Sequence, residues 1–339
     1  INTTISFAAG ETSKTFSIAT TEDTTVESSE TFSLTLTAST TDNVPAQITD
    51  GSATVTITDD DDNKILKGQP LTGSINRGSF YDTYEGTGTS SAIDNFNLVD
   101  DIGNNTITAH LSLSVHNPYY AFAIKDSTIQ LGDGNDTLKT TVNEGSYGSG
   151  LYNSSLKTGD GNDYVEINTI ELDKFEYGAY AIENSTIDTG NGDDTVKLKV
   201  TSSRTGAFFS YALHNSSTIK LGKGDDKLFI DTKNSSDDLD VYISGWGASS
   251  INAGDGNDEL TFTSSGFGIK SNKDNEINSV YLGNGNDQLT ISSNYTSLDT
   301  AVVYAGDGDD QINLSNSNAF HYSLKNTKIY LEAGNDNIS

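Results

Sequence analysis

The stretch Gly132-Asp133-Gly134-Asn135-Asp136-Thr137-Leu138 decides how this chain folds, because the chain repeats it. The phrase Gly-x-Gly-(Asn/Asp)-Asp returns at Gly159–Asp163, Gly190–Asp194, Gly222–Asp226, Gly254–Asp258, Gly283–Asp287 and Gly306–Asp310. Glu332–Asp336 has lost the first glycine, and Asp101–Asn105 is a decayed copy ahead of the others. Between second glycines the interval is 23 to 32 residues. Repetition at that period signals stacked units, each too small to bury its apolar face alone.

The flanks keep register better than the intervals do. Four residues after the second glycine stand Ile107, Leu138, Val165, Val196, Leu228, Leu260, Leu289, Ile312 and Ile338. Five residues before it stand Leu98, Ile129, Leu156, Ile187, Ile219, Ile251, Val280, Val303 and Ile329. Polar neighbours such as Thr137 and Lys139 alternate with the aliphatic ones, which is the period of a strand with one wet face. Glycines between the strands permit positive φ and a sharp corner. A further apolar position recurs as Ile124, Leu151, Ile182, Trp246 and Leu324, beside a second corner at Asp126, Asn153, Asn184, Asn215, Asn278 and Asn326. The pattern predicts an all-β parallel β-helix (a β-solenoid) of about nine coils over residues 97–339, with about three short strands per coil. An antiparallel sandwich with Gly-rich turns is the alternative. A sandwich does not require the same turn on the same side in every copy.

Composition agrees with a narrow core. Apolar residues make up 33% of the 339-residue chain, against about 45–50% in ordinary globular domains. The formal net charge is −29, with Arg only at 77 and 204. Such a polyanion repels phosphate backbones, which argues against a nucleic-acid partner, and it attracts cations. Cysteine and methionine are both absent, so no disulfide forms and no sulfur is open to oxidation, which suits a secreted or cell-surface life. No apolar run reaches the roughly 20 residues of a membrane span. The first residues read as mid-strand and the last as just past a turn, so the chain is expected to be part of a longer protein.

Residues 1–62 carry a different pattern. Ile1–Phe7, Lys14–Ala19, Thr31–Ala38 and Ala53–Thr58 alternate as strands around a turn at Gly10-Glu11-Thr12, predicting an antiparallel sheet. The runs Phe7–Phe16, Glu22–Phe32 and Ala53–Asp61 resemble the C-terminal part of a Calx-beta domain. The resemblance implies part of an Ig-like sandwich whose first strands are missing, and acidic loops for calcium at Glu22, Asp23, Glu27, Asp59 and Asp60. Residues 63–96, rich in glycine and carrying Phe80, Tyr81 and Tyr84, read as a connector and N-terminal cap.

The corner phrase is similar to the glycine-aspartate nonapeptide of RTX (haemolysin-type) proteins, which Gly132–Leu138 fits from its second position on. That family's first glycine is replaced here by Leu131, Thr158, Thr189, Leu221, Ala253, Leu282 or Ala305, and this chain has one such turn per longer coil. A wider β-helix with one calcium edge is therefore expected. Stacked turns place Asp136, Asp163, Asp194, Asp226, Asp258, Asp287, Asp310 and Asp336 in one column. Carboxylates stacked about 5 Å apart repel by roughly 1 kcal/mol per pair even in water. Asp133, Asp160, Asp255 and Asp307 add charge, and Asn135, Asn191 and Asn284 add neutral oxygen donors at the same turns. Oxygen ligands of this kind suit Ca2+. With no cysteine and only scattered histidines, at 110, 116, 214 and 321, zinc or copper is disfavoured. Asn105 is expected not to bind, and Lys223 to act as a tethered cation in place of a metal ion. Asn and Asp also make good turns without any metal.

These readings make the chain a calcium-binding structural or adhesive module rather than an enzyme, with anionic polysaccharide or copies of itself as partners. The alternative is a polysaccharide lyase, epimerase or hydrolase on a β-helix scaffold. Its candidate groups are Arg77, Arg204, Phe208 and Phe209, the rings of Tyr177, Tyr180, Tyr211 and Trp246, and the doublets Asp193-Asp194, Asp225-Asp226 and Asp309-Asp310. Ice binding is disfavoured by the mixed outward column Thr137, Tyr164, Thr195, Lys227, Glu259, Gln288, Gln311 and Asn337.

Overall fold

Leu138 lies between Ile107 and Val165 in two parallel strand pairings. These are successive members of the aliphatic column that follows the corner glycines. The parallel register continues through Val196, Leu228, Leu260, Leu289, Ile312 and Ile338. The fold is a parallel β-solenoid, seen in a computed structural model. It describes residues 4–8, 10–18, 30–37, 48–57, 65–66, 71–76, 83–87, 90–100, 103–112, 120–143, 147–171, 178–202, 210–234, 241–244, 248–271 and 277–339. The chain divides into two units, Ile1–Asn63 and Lys64–Ser339.

One coil of the second unit consists of Thr137–Asn143, Gly148–Tyr152 and Ser155–Asp160. First strands stack into one sheet of 11; second and third strands form another sheet of 18. At ~4.8 Å per step, 11 stacked strands span about 50 Å. Both aliphatic columns point inward. Ile107, Leu138, Val165, Val196, Leu228, Leu260, Leu289 and Ile312 are fully buried, as are Leu98, Ile187, Ile219 and Val303. Each such side chain contributes about 1.5–3 kcal/mol of transfer free energy. A core only a few side chains wide therefore needs many coils to become stable.

The second corner is made by residues in the left-handed region. Asp126, Asn153, Asn184, Asn215 and Asn326 have φ between 46° and 51°. Their side chains link coil to coil: Asn153 Nδ2 donates to Asp126 Oδ1 at 2.6 Å, and Asn184 Nδ2 to Asn153 Oδ1 at 2.9 Å. Beside this column runs a serine ladder, in which Ser127 N donates to Ser154 Oγ and Ser154 N to Ser185 Oγ. Asn278 departs from the expected corner role. It is buried and accepts from Ser249 N at 3.0 Å, so it occupies the serine column. Its longer side chain reaches the same backbone donor. Trp246 lies outside the described residues.

Within residues 63–96, expected as a connector and cap, the described strands join the ladders. Ile65–Leu66 pairs with Thr83–Thr87, and Leu71–Asn76 with Ser91–Val99, all parallel. Ser91–Val99 then pairs with the strands starting at Ala121 and Thr128. Leu71, Ile93 and Phe96 sit in the core. Glycines at irregular spacing hide the strand period there.

In the N-terminal unit, Glu30–Thr35 pairs antiparallel with Ser52–Ile57, Phe32 opposite Val55. Gly10 turns at φ 88°, with Glu11 N donating to Ala8 O. The described parts of Ile1–Phe7 and Lys14–Ala19 form no strand, contrary to expectation. Alternation only makes a strand where a neighbour pairs with it, and Phe7 and Phe16 are exposed here.

Gly192 tests the stacking. Its φ is 133°, and an added Cβ would fall well inside contact with the Gly161 carbonyl oxygen. Gly192→Ala is expected to cost the backbone strain of order 1–3 kcal/mol plus that clash. Gly73→Ala, at φ 103° with no atom near its Cβ position, pays the strain alone. Thermal melting should rank Gly192→Ala well below Gly73→Ala.

Candidate functional site

The glycine corner carries three columns of side chains, each with a different environment. Between the two glycines lie Asp133, Asp160, Asn191, Lys223, Asp255, Asn284 and Asp307, all exposed. Their backbone closes the corner, as Gly134 N donates to Asp160 O and Gly256 N to Asn284 O. Amides and carboxylates alternate in places: Asn191 Nδ2 donates to Asp160 Oδ1 at 2.5 Å, and Asn284 Nδ2 to Asp255 Oδ1 at 2.6 Å.

The second column follows the second glycine. It contains Asn104, Asn135, Asn162, Asp193, Asp225, Asn257, Asn286, Asp309 and Asn335. Each side-chain oxygen accepts the backbone N–H of its counterpart one coil later: Asn135 N donates to Asn104 Oδ1 at 2.7 Å, Asn162 N to Asn135 Oδ1 at 2.8 Å, and so on to Asn335 N and Asp309 Oδ1 at 2.9 Å. Of this column only Asn135 is a candidate ligand from the sequence. The signal for the rest was an Asn or Asp at that position in every copy.

The third column is the buried one, and its ladder runs the other way. Asp163 Oδ1 accepts from Asp136 N at 2.8 Å, Asp194 Oδ1 from Asp163 N at 2.8 Å, and Asp226 Oδ1 from Asp194 N at 2.7 Å. Asp258, Asp287, Asp310 and Asp336 continue it. The stack is thus clasped from both directions by two side-chain ladders. The ladder uses one oxygen of each carboxylate. The other, Oδ2 of Asp136, Asp163, Asp194, Asp226, Asp258, Asp287 and Asp310, is buried without a hydrogen-bond partner.

Burial makes those carboxyls weak acids. It pushes Asp136, Asp194 and Asp287 up to about 7, Asp226 to about 8 and Asp258 to about 6. The backbone N–H bonds pull the other way, and neighbouring carboxylates add to the rise. Asp163 and Asp310 are also raised, chiefly by burial. At Asp163 and Asp194 a threonine hydroxyl, Thr158 or Thr189, offsets part of the rise. Each of those hydroxyls has a single hydrogen, and it goes to a carbonyl of the next coil, from Thr158 to Thr189 O at 3.0 Å and from Thr189 to Leu221 O at 2.7 Å.

Asn105, at the head of the column, shows what the position asks for. Its backbone N–H donates to Asp136 Oδ1 at 2.6 Å, as the aspartates' do. Its side-chain amide then donates to Leu131 O at 3.1 Å and Gly103 O at 3.3 Å. An aspartate at the same place has no N–H to offer. It satisfies its second oxygen either by holding a proton or by sharing a cation with nearby oxygens. The orphaned oxygens fit a hard cation in donor type. Among the described residues no three His, Cys, Asp or Glu side chains converge on one point. A bound ion would therefore need backbone carbonyls, amide oxygens or water to complete its shell.

All fifteen expected ligands, including Asp336, fall on this one corner, but in separate columns. Lys223, expected as a cation in place of a metal ion, is exposed in the outer column between Asn191 and Asp255. The aspartate doublets split between columns: Asp193 is exposed while Asp194 is buried. The same split holds for Asp225 and Asp226 and for Asp309 and Asp310. Tyr180 and Tyr211 are buried and stack on His214. Beside them Glu183, only 3% exposed, accepts from Tyr147 Oη at 2.5 Å and Asn215 Nδ2 at 2.9 Å and lies 3.3 Å from His214 Nδ1. Burial and that bond raise the Tyr147 pKa, so the phenol keeps its proton and braces the coils. Nothing in the repeat phrase announces this cluster. Arg77, Arg204, Tyr177, Phe208, Phe209, Glu22, Asp23, Glu27, Asp59 and Asp60 lie outside the described residues.

Residues 1–61 match the family model of the Calx-beta domain. That match covers the first unit. Comparison with curated proteins and with solved structures gives no match.

The raised carboxyls fix a pH dependence for the metal-free chain. An acid whose folded pKa lies above its unfolded value near 4 gives stability that is complete below that value and lost as pH rises through the folded one. In chelator the solenoid should therefore melt at higher temperature at pH 5 than at pH 8, with the loss centred between 6 and 8. Asp194→Asn should flatten that slope and gain about 1–3 kcal/mol at pH 8, by supplying the missing donor. Melting curves that rise from pH 5 to 8 would contradict the burial of these groups.

Proposed function

We propose that the chain is a calcium-binding structural or adhesive module of a secreted or cell-surface protein, and not an enzyme. Its Asp/Asn corner holds the ions, and the solenoid is the rod that they stiffen. The observation that carries this reading is the run of seven buried, partnerless carboxylate oxygens on one edge. Asn105 shows that an amide can be satisfied there, so the recurring choice of carboxylate favours a cation. The Calx-beta match at residues 1–61 supports a calcium-related or adhesive context. Among the described residues no helix is long and apolar enough to cross a membrane.

In this reading the buried column and the neighbouring exposed oxygens of Asp133, Asp160, Asn191, Asp255, Asn284 and Asp307 form a graded acidic edge. The ion supplies positive charge at the corner and removes the repulsion along the column. The residues themselves hold the coils in register through the ladders, with or without it. Ligands that bind only the folded state stabilise it by RT ln(1 + [L]/Kd), about 2.7 kcal/mol per site at a hundredfold excess over Kd.

The test is thermal melting at pH 8 with calcium or chelator. Calcium should raise the melting temperature, and magnesium should do so less, because it demands a tighter octahedral shell. Asp194→Asn combined with Asp226→Asn should remove much of the calcium increment while leaving the chelator melt unchanged or higher. An identical melt with and without calcium would overturn the proposal.

A further inference from the structure

The C-terminal coils carry an outward face without charge. In the 11-stranded sheet the strands Glu259–Ser264, Gln288–Ser293 and Gln311–Asn316 lie side by side in parallel register. Their outward positions form a grid, with Thr261, Thr290 and Asn313 in one row and Thr263, Ser292 and Ser315 in the next. All six are at least partly exposed. None is charged, in a chain where 20% of residues are. Glu259, at the start of its strand, and Asp231, opposite Thr263, bound the grid. Its points are about 4.8 Å apart across strands and about 7 Å apart along them.

The grid keeps hydrogen-bonding capacity. Asn313 Nδ2 donates to Thr290 Oγ1 at 3.4 Å, and Ser315 Oγ to Ser292 Oγ at 3.1 Å. One step further along, Ser317 Oγ donates to Asn294 Oδ1 at 3.0 Å. The accepting groups keep their own hydrogens. Among the described residues nothing takes the hydroxyl hydrogens of Thr290 and Ser292 or the amide hydrogens of Asn294.

A corner of aromatic rings adjoins this face. Phe267, Tyr295 and His321 follow the three strands, one per coil. Tyr295 lies 5.1 Å from Phe267 and 4.8 Å from His321 between ring centres, and all three are partly exposed. Lys270 covers Phe267 at 3.9 Å. Beside His321, Phe320 and Tyr322 are 94% and 76% exposed. Exposed apolar groups rimmed by polar ones mark an interaction surface.

We infer that the grid and its aromatic corner bind a neutral polysaccharide. Donors on a flat surface meet a ligand that offers hydroxyl and ring oxygens at every unit, and the rings meet its apolar C–H faces. A polyanion would face the field of a −29 molecule with no cation in the grid to offset it. An uncharged chain meets no such barrier. Interfaces with proteins are depleted in serine, which this face presents. The inference rests on the adhesive half of the reading above and not on its calcium half.

The test is native electrophoresis of the full chain, in chelator, through gels containing hydroxyethyl cellulose, galactomannan or polygalacturonate. At least one of the two neutral polymers should retard the chain, and polygalacturonate should not. Thr290→Val with Ser292→Ala removes the two spare hydroxyls and should weaken retardation about tenfold. Phe320→Ala removes a ring that the fold leaves in solvent, and should weaken it without lowering the melting temperature. Thr141→Val with Thr195→Val removes two outward hydroxyls from earlier coils of the same sheet and should leave retardation unchanged. No retardation by either neutral polymer, equal loss in both double variants, or equal retardation by polygalacturonate would each overturn the inference. Failure of the calcium reading shows instead in melting with and without calcium, which this experiment does not use.

Discussion

The corner glycines stack backbone on backbone, and every other regularity in the solenoid follows from that contact. Each second glycine sets its Cα against the carbonyl oxygen of the glycine one coil back, from Gly134 on Gly103 to Gly334 on Gly308. No side chain fits in that gap, and the φ values there exclude one in any case. Close approach fixes the height of each coil at one point on its circumference. Once that point is fixed, flanking strands fall into parallel register, and variation in coil length is pushed to the other corners. This is why intervals of 23 to 32 residues produce unbroken ladders.

The same contact has an electrostatic consequence. Residues just past the glycine are delivered to identical positions in successive coils, so like charges stack. In the exposed column the problem is mild. Water solvates it, and Asn and Asp interchange freely there, as the run Asn162, Asp193, Asp225, Asn257 shows. In the buried column Asp is kept in every coil after Asn105. Its backbone-capping oxygen could equally be an amide oxygen, as the exposed ladder demonstrates. The carboxylate therefore adds nothing to the ladder that an amide lacks; it adds charge in a place where charge is costly. A feature that weakens the bare fold, in every coil after that of Asn105, makes coil stability depend on what the solution supplies.

Much of this was legible in the sequence because a repeat reports its own geometry. The two aliphatic columns around each glycine pair predicted the inward strands, and Leu138 and Leu156 stand in them as expected. The Asn corner was legible for the same reason, except at Asn278, where one residue type serves two different columns. The described strands within residues 63–96 were not legible because they carry no corner phrase, and register without a marker cannot be counted. The antiparallel directions of the two ladders were hidden altogether. Direction depends on which coil supplies the N–H, and adjacent positions such as Asn135 and Asp136 differ only in depth. The Glu183–Tyr147–His214 cluster was equally silent, since its members come from three different coils and occur once.

Period-two alternation also explains how one solenoid can combine acidic corners with strand faces of mixed charge. Alternate positions of a strand face outward, so the outer surface of each sheet is written by residues the core does not constrain. Corner residues are constrained by the turn and are almost all Asn or Asp. Strand residues such as Lys139, Lys197 and Lys199 are not, and there lysine can collect. Close stacking lines up the corner acids in columns, while on the strand faces lysines stand opposite carboxylates, as Lys139 and Lys197 do to Glu166 and Lys199 does to Asp231. Stacking concentrates acid in the corner column, where burial makes each carboxyl call for a proton or a counter-ion. A narrow core that contributes little chemistry of its own is thereby flanked by one strongly acidic edge.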